Sequence, residues 1–110
     1  MIDDRTKSLI LDSLKNPVAF TDTNHIIRYM NKAAIEHYDE GENLLGRSLL
    51  DCHNEASQKM IHEIYTEMQQ GLEERLITDS EKYRIYMLAV RDENGQLIGY
   101  YERYEPPRGK

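Results

Sequence analysis

The sequence contains a single cysteine, no tryptophan, three prolines and six glycines among its 110 residues. One cysteine cannot form an internal disulfide, so a disulfide-stapled secreted scaffold is excluded. No apolar run approaches the ~18 residues of a membrane span, and the first residues are acidic where a signal peptide needs a basic flank. We therefore expect a cytoplasmic protein without membrane insertion.

Positive charge is also scarce, because 14 Lys and Arg stand against 20 Asp and Glu and give a net charge of -6. Such a chain repels phosphate backbones, so we expect no nucleic-acid partner. Hydrophobic residues still make up 39% of the chain, enough for a core. The length suits one domain, whose modest core would gain stability from pairing with a second copy.

The residue pattern predicts helices and strands in a definite order. In chain order they are an N-terminal amphipathic helix, strands at 18–22 and 26–30, a short helix at 32–38 capped by Asn31, helical turns around Gly46, a long helix at 55–70, and strands at 73–78, 83–91 and 96–104. This order predicts an α+β fold, a five-stranded antiparallel sheet with helices packed on one face. We divide the chain into an N-terminal helix at 1–16, a main domain at 17–105 and a tail or linker at 106–110.

The strand at 83–91 is apolar on both alternating sets of residues, which predicts a sheet covered on both faces. The helices after Asn31 cover one face. The N-terminal helix or a partner subunit is left for the other face, where we place Tyr100 and Tyr104 of the last strand. A homodimer is therefore the expected assembly.

Three segments carry a family resemblance. They are residues 22–34 (DTNHIIRYMNKAA), 44–49 (LLGRSL) and 94–100 (NGQLIGY). In this order and at these separations, they and the element order resemble a PAS domain over residues 8–105. The resemblance implies a sensory module of a bacterial-type regulator that holds a small ligand or cofactor between sheet and helices, or pairs with another copy. It also implies signal transduction to an output domain, either in a longer chain or in a separate protein.

Apolar side chains with hydroxyl and thioether groups are predicted to meet between the long helix and the sheet, where a small apolar ligand would bind. The candidate binding residues are Met30, Tyr38, Leu50, Cys52, His53, Met60, Ile61, Ile64, Tyr65, Tyr86 and Met87. The alternative is a filled core in a pure protein-interaction module, because Met and Tyr at helical spacing usually indicate packing.

Cys52 and His53 form the most reactive-looking pair in the chain. Adjacent residues of a helix point about 100° apart, which does not suit a nucleophile and its base. We expect Cys52 to be a small buried side chain, and His25 and His37 to lie at the surface. No set of acid, base and nucleophile emerges, so we expect no enzyme.

Some PAS sensors hold haem through a histidine, so a haem-binding redox or gas sensor using His53 or His62 is a further alternative. His62 falls away from the apolar face of the long helix, whereas His53 precedes the helix and is better placed. Hydrogen bonding or capping is the competing role for His53. No other metal site has suitable ligand spacing.

Overall fold

The computed structural model describes residues 1–109. The elements are α1 Asp4–Ser13, β1 Ala19–Asp22, β2 Ile27–Met30, α2 Lys32–His37, α3 Glu55–Gln69, β3 Glu74–Asp79, β4 Arg84–Arg91 and β5 Leu97–Glu105. Two short 3-10 turns, Gly41–Leu44 and Leu49–Cys52, connect α2 to α3. The predicted element order is confirmed.

Each α-helix begins at a short polar residue whose side chain accepts a backbone hydrogen bond. The Asp3 carboxylate accepts from the Thr6 N–H at 2.8 Å, and the Asn54 amide oxygen accepts from the Ser57 N–H at 2.8 Å. Asn31, as predicted, caps α2 by accepting from the Ala34 N–H at 2.9 Å. These bonds satisfy N–H groups that have no partner within the helix, which is why the helices start where they do.

The strands form one sheet in the order β2-β1-β5-β4-β3, and every neighbouring pair is antiparallel. The predicted fold class, an α+β PAS-like architecture, is confirmed. The hairpin between β4 and β5 turns at Gly95, whose φ of 80° is a backbone conformation that glycine adopts without strain. Because β1 and β5 are neighbours, the two halves of the chain are joined at the centre of the sheet.

The apolar face of α3 packs on the sheet, as its helical spacing predicts. Ile61, Ile64 and Met68 are buried, and they form a core with Met87 of β4 and Tyr100 of β5. A second buried cluster gathers at the other end of the same layer and consists of Ile27, Met30, Ala34 and Leu44. Two separate buried clusters therefore lie in the space between the sheet and the helices.

Tyr100 and Tyr104 were predicted to lie on the outer face of the sheet, and that prediction is wrong. Both are buried, and each lies directly across from a β4 residue on the helix-facing side of the sheet. Tyr100 pairs with Ala89, and Tyr104 pairs with Ile85. The assignment failed because alternation along β5 shows which residues share a face but not which face is covered. The register with β4 decides it.

The outer face instead carries a row of partly exposed side chains. Tyr29, Phe20, Tyr101 and Leu88 are matched across β2, β1, β5 and β4. Helix α1 has no buried residue of its own. It is attached to the domain through the Leu11 carbonyl oxygen, which accepts a hydrogen bond from the Asn31 amide at 2.9 Å.

The predicted tail at 106–110 lies against the sheet as far as it is described, and Lys110 lies outside the described residues. Arg84 Nε donates to the Pro106 carbonyl oxygen at 3.0 Å, and Arg108 pairs with Asp79 at 3.1 Å. No helix within residues 1–109 combines the length and the apolar character that a membrane crossing requires.

Candidate ligand cavity

A cavity of about 290 Å³ lies between the sheet and the helices, where the two buried clusters meet. Ligand sites in proteins commonly measure about 300–1,000 Å³, and this volume, just below that range, suits a small molecule. Its lining residues are Ala19, Thr21, Ile27, Met30, Tyr38, Leu44, Leu49, Cys52, His53, Ser57, Met60, Ile77, Thr78, Ile85, Tyr100, Tyr101, Glu102 and Tyr104. The walls are mainly apolar, with a few polar groups among them.

The structure brings some of the predicted binding residues to this cavity and places others elsewhere. Met30, Tyr38, Cys52, His53 and Met60 line it. Ile61, Ile64 and Met87 belong to the packed core beside it, with Leu50 and Tyr65 against that core. Helical spacing identified the buried face of α3, but the gap opens only beside the first turns of that helix.

Tyr86 lies on the opposite face of the sheet from the cavity. Its neighbours in β4, Ile85 and Met87, are buried toward the helices, and strand alternation turns Tyr86 the other way. There the Arg103 guanidinium stacks over its ring at 4.5 Å, and Arg84 Nη1 lies 3.0 Å from its hydroxyl. This residue does not reach a ligand in the cavity.

Cys52 differs from its sequence-based expectation, because it is exposed rather than buried. It is the last residue of the 3-10 turn Leu49–Cys52. Part of the residue lines the cavity, and the rest faces solvent. Side chains of a 3-10 turn point in three directions, so a turn at the surface leaves some of them in solvent.

His53 lines the cavity and is held in place by a hydrogen bond. Its Nδ1 donates to the Leu49 carbonyl oxygen at 2.8 Å, since a carbonyl can only accept. The neutral ring therefore carries its proton on Nδ1, which leaves the Nε2 lone pair available. The hydrogen-bonding role considered for His53 is thus present.

The residues do not fit a haem. The cavity volume of about 290 Å³ is small even for a drug-sized ligand, and a haem is larger. His62 is exposed on α3 and is not among the cavity-lining residues. No group of metal-ligating side chains in the described part of the chain is arranged to hold a metal ion.

His25 was predicted to lie at the surface, and that prediction is wrong. The residue is half-buried at a φ of 64°, and its Nδ1 lies 2.8 Å from the Tyr100 hydroxyl. Its ring packs edge-on against Tyr65 and His62 of α3, with centroids 4.9 and 5.3 Å apart. Burial and the charge of His62 lower the pKa of His25. This turn residue joins α3 to β5.

The polar groups of the cavity wall were largely missed at the level of sequence. The hydroxyls of Tyr38 and Tyr104 lie 2.8 Å apart, which pairs the residue after α2 with β5. Glu102 stands between Tyr100 and Tyr104 on the same face of β5. The sequence held one signal for Glu102: alternation along β5 places it on the same face as Tyr100 and Tyr104. A glutamate between two inward-facing aromatic residues is unusual.

The carboxyl of Glu102 governs the electrostatics of this wall. Burial raises the pKa of Glu102 above its ordinary value, and the charge of His53 opposes that rise. Burial, together with the charge of Glu102, raises the pKa of Tyr38 and of Tyr100 and raises that of Tyr104 to about 12. The three tyrosines are therefore neutral hydrogen-bonding groups.

A comparison with protein-family models decides the relationship, because the model described as "PAS domain" matches residues 8–105. The chain belongs to the PAS domain family. The match covers the sheet and all the helices except the start of α1. A comparison of this PAS domain with curated protein sequences gives no match.

Solved structures share the fold of this PAS domain at low sequence identity. The C-terminal domain of a Streptococcus mutans protein has a TM-score of 0.78 at 19% identity, covering 96% of this chain and 85% of that one. VqmA of Vibrio cholerae bound to DPO has a TM-score of 0.64 at 15% identity, covering 96% and 57%. The Aer2 receptor of Vibrio cholerae, a dual PAS-haem oxygen sensor, has a TM-score of 0.56 at 17% identity, covering 82% and 92%.

Proposed function

We propose that this PAS domain is a sensory module that binds a small, mainly apolar molecule in the cavity between the sheet and the helices. The observation that carries the proposal is the cavity itself, about 290 Å³ lined by residues of the sheet, of the segment between α2 and α3, and of α3. The VqmA structure, with DPO bound, offers a precedent within the same fold. PAS domains are generally sensory or regulatory rather than catalytic, and the proposal assigns this one no catalysis.

The cavity position suits signalling, because its lining joins elements that are otherwise separate. Ser57 and Met60 of α3 line it together with Tyr104 of β5 and Met30 of β2. A ligand that binds one packing of α3 on the sheet more tightly than another shifts the balance between them. An output domain, in a longer chain or in a separate protein, would respond to that shift.

We further propose that the domain pairs as a homodimer through α1 and the outer face of the sheet. Leu9 and Ile10 of α1 and Leu14, which follows the helix, are exposed, with 45–52% of their surface accessible. The row containing Phe20 and Leu88 is partly exposed on the outer face. A second copy that covers both surfaces would remove this apolar area from water.

Native mass spectrometry of the protein purified from its expression host tests the proposed ligand. We expect a retained small molecule, and we expect Ser57→Leu, which adds a side chain at the cavity wall, to lose it. The matched control is Ala56→Leu on the exposed side of the same helical turn, which should keep the molecule. If Ser57→Leu kept the molecule as well, the ligand would lie elsewhere.

Light scattering across a concentration series up to about 0.1 mM tests the dimer, since association depends on protein concentration. We expect Leu88→Lys to shift the protein to the monomer, and Lys82→Ala on an exposed turn to leave it dimeric. A wild-type protein that stays monomeric throughout would contradict pairing.

A haem sensor is the rival assignment, and the volume of the cavity speaks against it. An absorption spectrum of the protein with added haem distinguishes the two. A Soret band that disappears in His53→Ala would favour the haem sensor over the small-molecule sensor.

A further inference from the structure

Within residues 1–109, Glu102 is the only acidic side chain that lines the cavity. It pairs with Met87 in the register of β4 and β5, and Met87 is buried against α3. Tyr100 and Tyr104, two positions to either side of Glu102, are also buried on this face. Strand alternation therefore projects its carboxyl from the centre of the sheet toward the cavity.

The carboxyl of Glu102 forms no hydrogen bond or ion pair with another residue within 1–109, whereas the polar groups around it are paired. The Tyr38 and Tyr104 hydroxyls bond each other, and the Tyr100 hydroxyl bonds His25. By contrast Glu105, on the same strand, pairs with Arg84 and Arg103. Glu102 is partly buried, and the cavity is a space that it borders. A carboxyl enclosed in this way without a partner is costly, and native proteins rarely keep one without a function.

A molecule that satisfies this carboxyl must bring N–H donors. A base with two nitrogens on one carbon, or a primary amine, complements the carboxyl oxygens whether the proton sits on the carboxyl or on the base. The neighbouring tyrosine rings add favourable faces for a positive charge. An anionic ligand would meet repulsion from Glu102, and no Lys or Arg of the described chain lines the wall to pair with it.

We propose that the ligand of this cavity is a small organic base carrying N–H donors, an amine, amidine or amino-heterocycle with an apolar body, and that Glu102 is its recognition residue. The inference rests on the proposed function, because it names the chemical class of the molecule sensed.

Three probes of nearly equal shape test the inference: benzamidine is cationic, benzamide is neutral with N–H donors, and benzoate is anionic. Methyl-labelled methionine provides an internal map of where each probe binds. Met30 and Met60 line the cavity, Met68 and Met87 lie in the packed core, and Met1 is exposed. Binding in the cavity should shift the methyl signals of Met30 and Met60 most.

We expect benzamidine to bind wild-type protein at least about tenfold more tightly than benzamide, with benzoate weakest, as for a charge-assisted pair in a site shielded from water. In Glu102→Gln, which keeps the side-chain shape, benzamidine should lose its advantage over benzamide. Tyr86→Phe, on the opposite face of the sheet, should leave the ranking unchanged.

Equal binding of benzamidine and benzamide to wild-type protein would overturn the inference. Tighter binding of benzoate would overturn it as well. In both cases shifts at Met30 and Met60 would leave the proposed cavity function standing. If no probe shifted those methyl signals, the proposed function would fall together with the inference. The wild-type ranking decides the matter even if Glu102→Gln does not fold.

Discussion

Asn31→Ala should destabilise the domain far more than the loss of an ordinary helix cap. The side chain is fully buried and takes part in four hydrogen bonds. Its oxygen accepts from the N–H groups of Val18 and Ala34, and its nitrogen donates to the carbonyls of Leu11 and Asn16. It thus joins α1, the start of β1 and the start of α2.

The magnitude follows from the bonds that would be lost. Removing an N-cap costs about 1 kcal/mol, and leaving a further buried donor or acceptor without a partner costs about 1–3 kcal/mol. Water can reach the carbonyl of the exposed Asn16, so we count the remaining bonds at the low end. The expected loss of unfolding free energy is about 3 kcal/mol, a large share of the roughly 5–15 kcal/mol that a domain possesses.

Equilibrium unfolding in urea, followed by circular dichroism, measures this loss. Asn31→Asp is the comparison variant, because a carboxylate keeps both accepted bonds, loses both donated ones and sets an oxygen against the carbonyls of Leu11 and Asn16. We expect it to increase amide exchange in α1 while α2 stays protected. A loss below about 1 kcal/mol in Asn31→Ala would refute the reasoning, because the side chain would then do no more than an exposed cap.

Three further perturbations test other parts of the structure. Gly99→Ala places a Cβ onto the carbonyl oxygen of Thr21 where β1 meets β5, and should lower the unfolding free energy by about 2–3 kcal/mol, whereas Ile98→Ala beside it should change it by less than about 1 kcal/mol. The folded-state pKa of Glu102 is raised above its ordinary 4.5, so its contribution to stability is lost as pH rises through that raised value. The unfolding free energy of Glu102→Gln, measured in urea, should therefore increase relative to that of the wild type as pH rises. A decrease relative to the wild type would contradict the assignment. The pKa of His25 is lowered from 6.5, so the wild type should lose stability on acidification below that pH, and His25→Asn, which tolerates the same backbone conformation, should lose less. A slope that is equal in both proteins would show that His25 titrates normally.

Much of the candidate site could not be predicted from patterns in the sequence. Met30, Tyr38, Cys52, His53 and Met60 were identified because they sit near predicted buried faces, and they line the cavity. Periodicity gives the direction of a side chain but not the space in front of it. A gap depends on how far apart two packed layers stand, and that distance is a property of the whole fold.

Local chemistry in the sequence determined the order and approximate bounds of the helices and strands, since capping residues, turn residues and hydrophobic periodicity act within a few positions of themselves. Asn31 at the start of α2 and Gly95 in the last hairpin are examples. These signals, taken in order, were enough for the fold class and the family.

Only the tertiary structure decided which face of β5 meets the helices, and with it the positions of Tyr100, Glu102 and Tyr104. It also shows that His25, which was expected at the surface, contacts α3. The physical reason is that strand pairing between residues far apart in the chain sets the register. A strand by itself has two equivalent faces, and its neighbours in space choose between them.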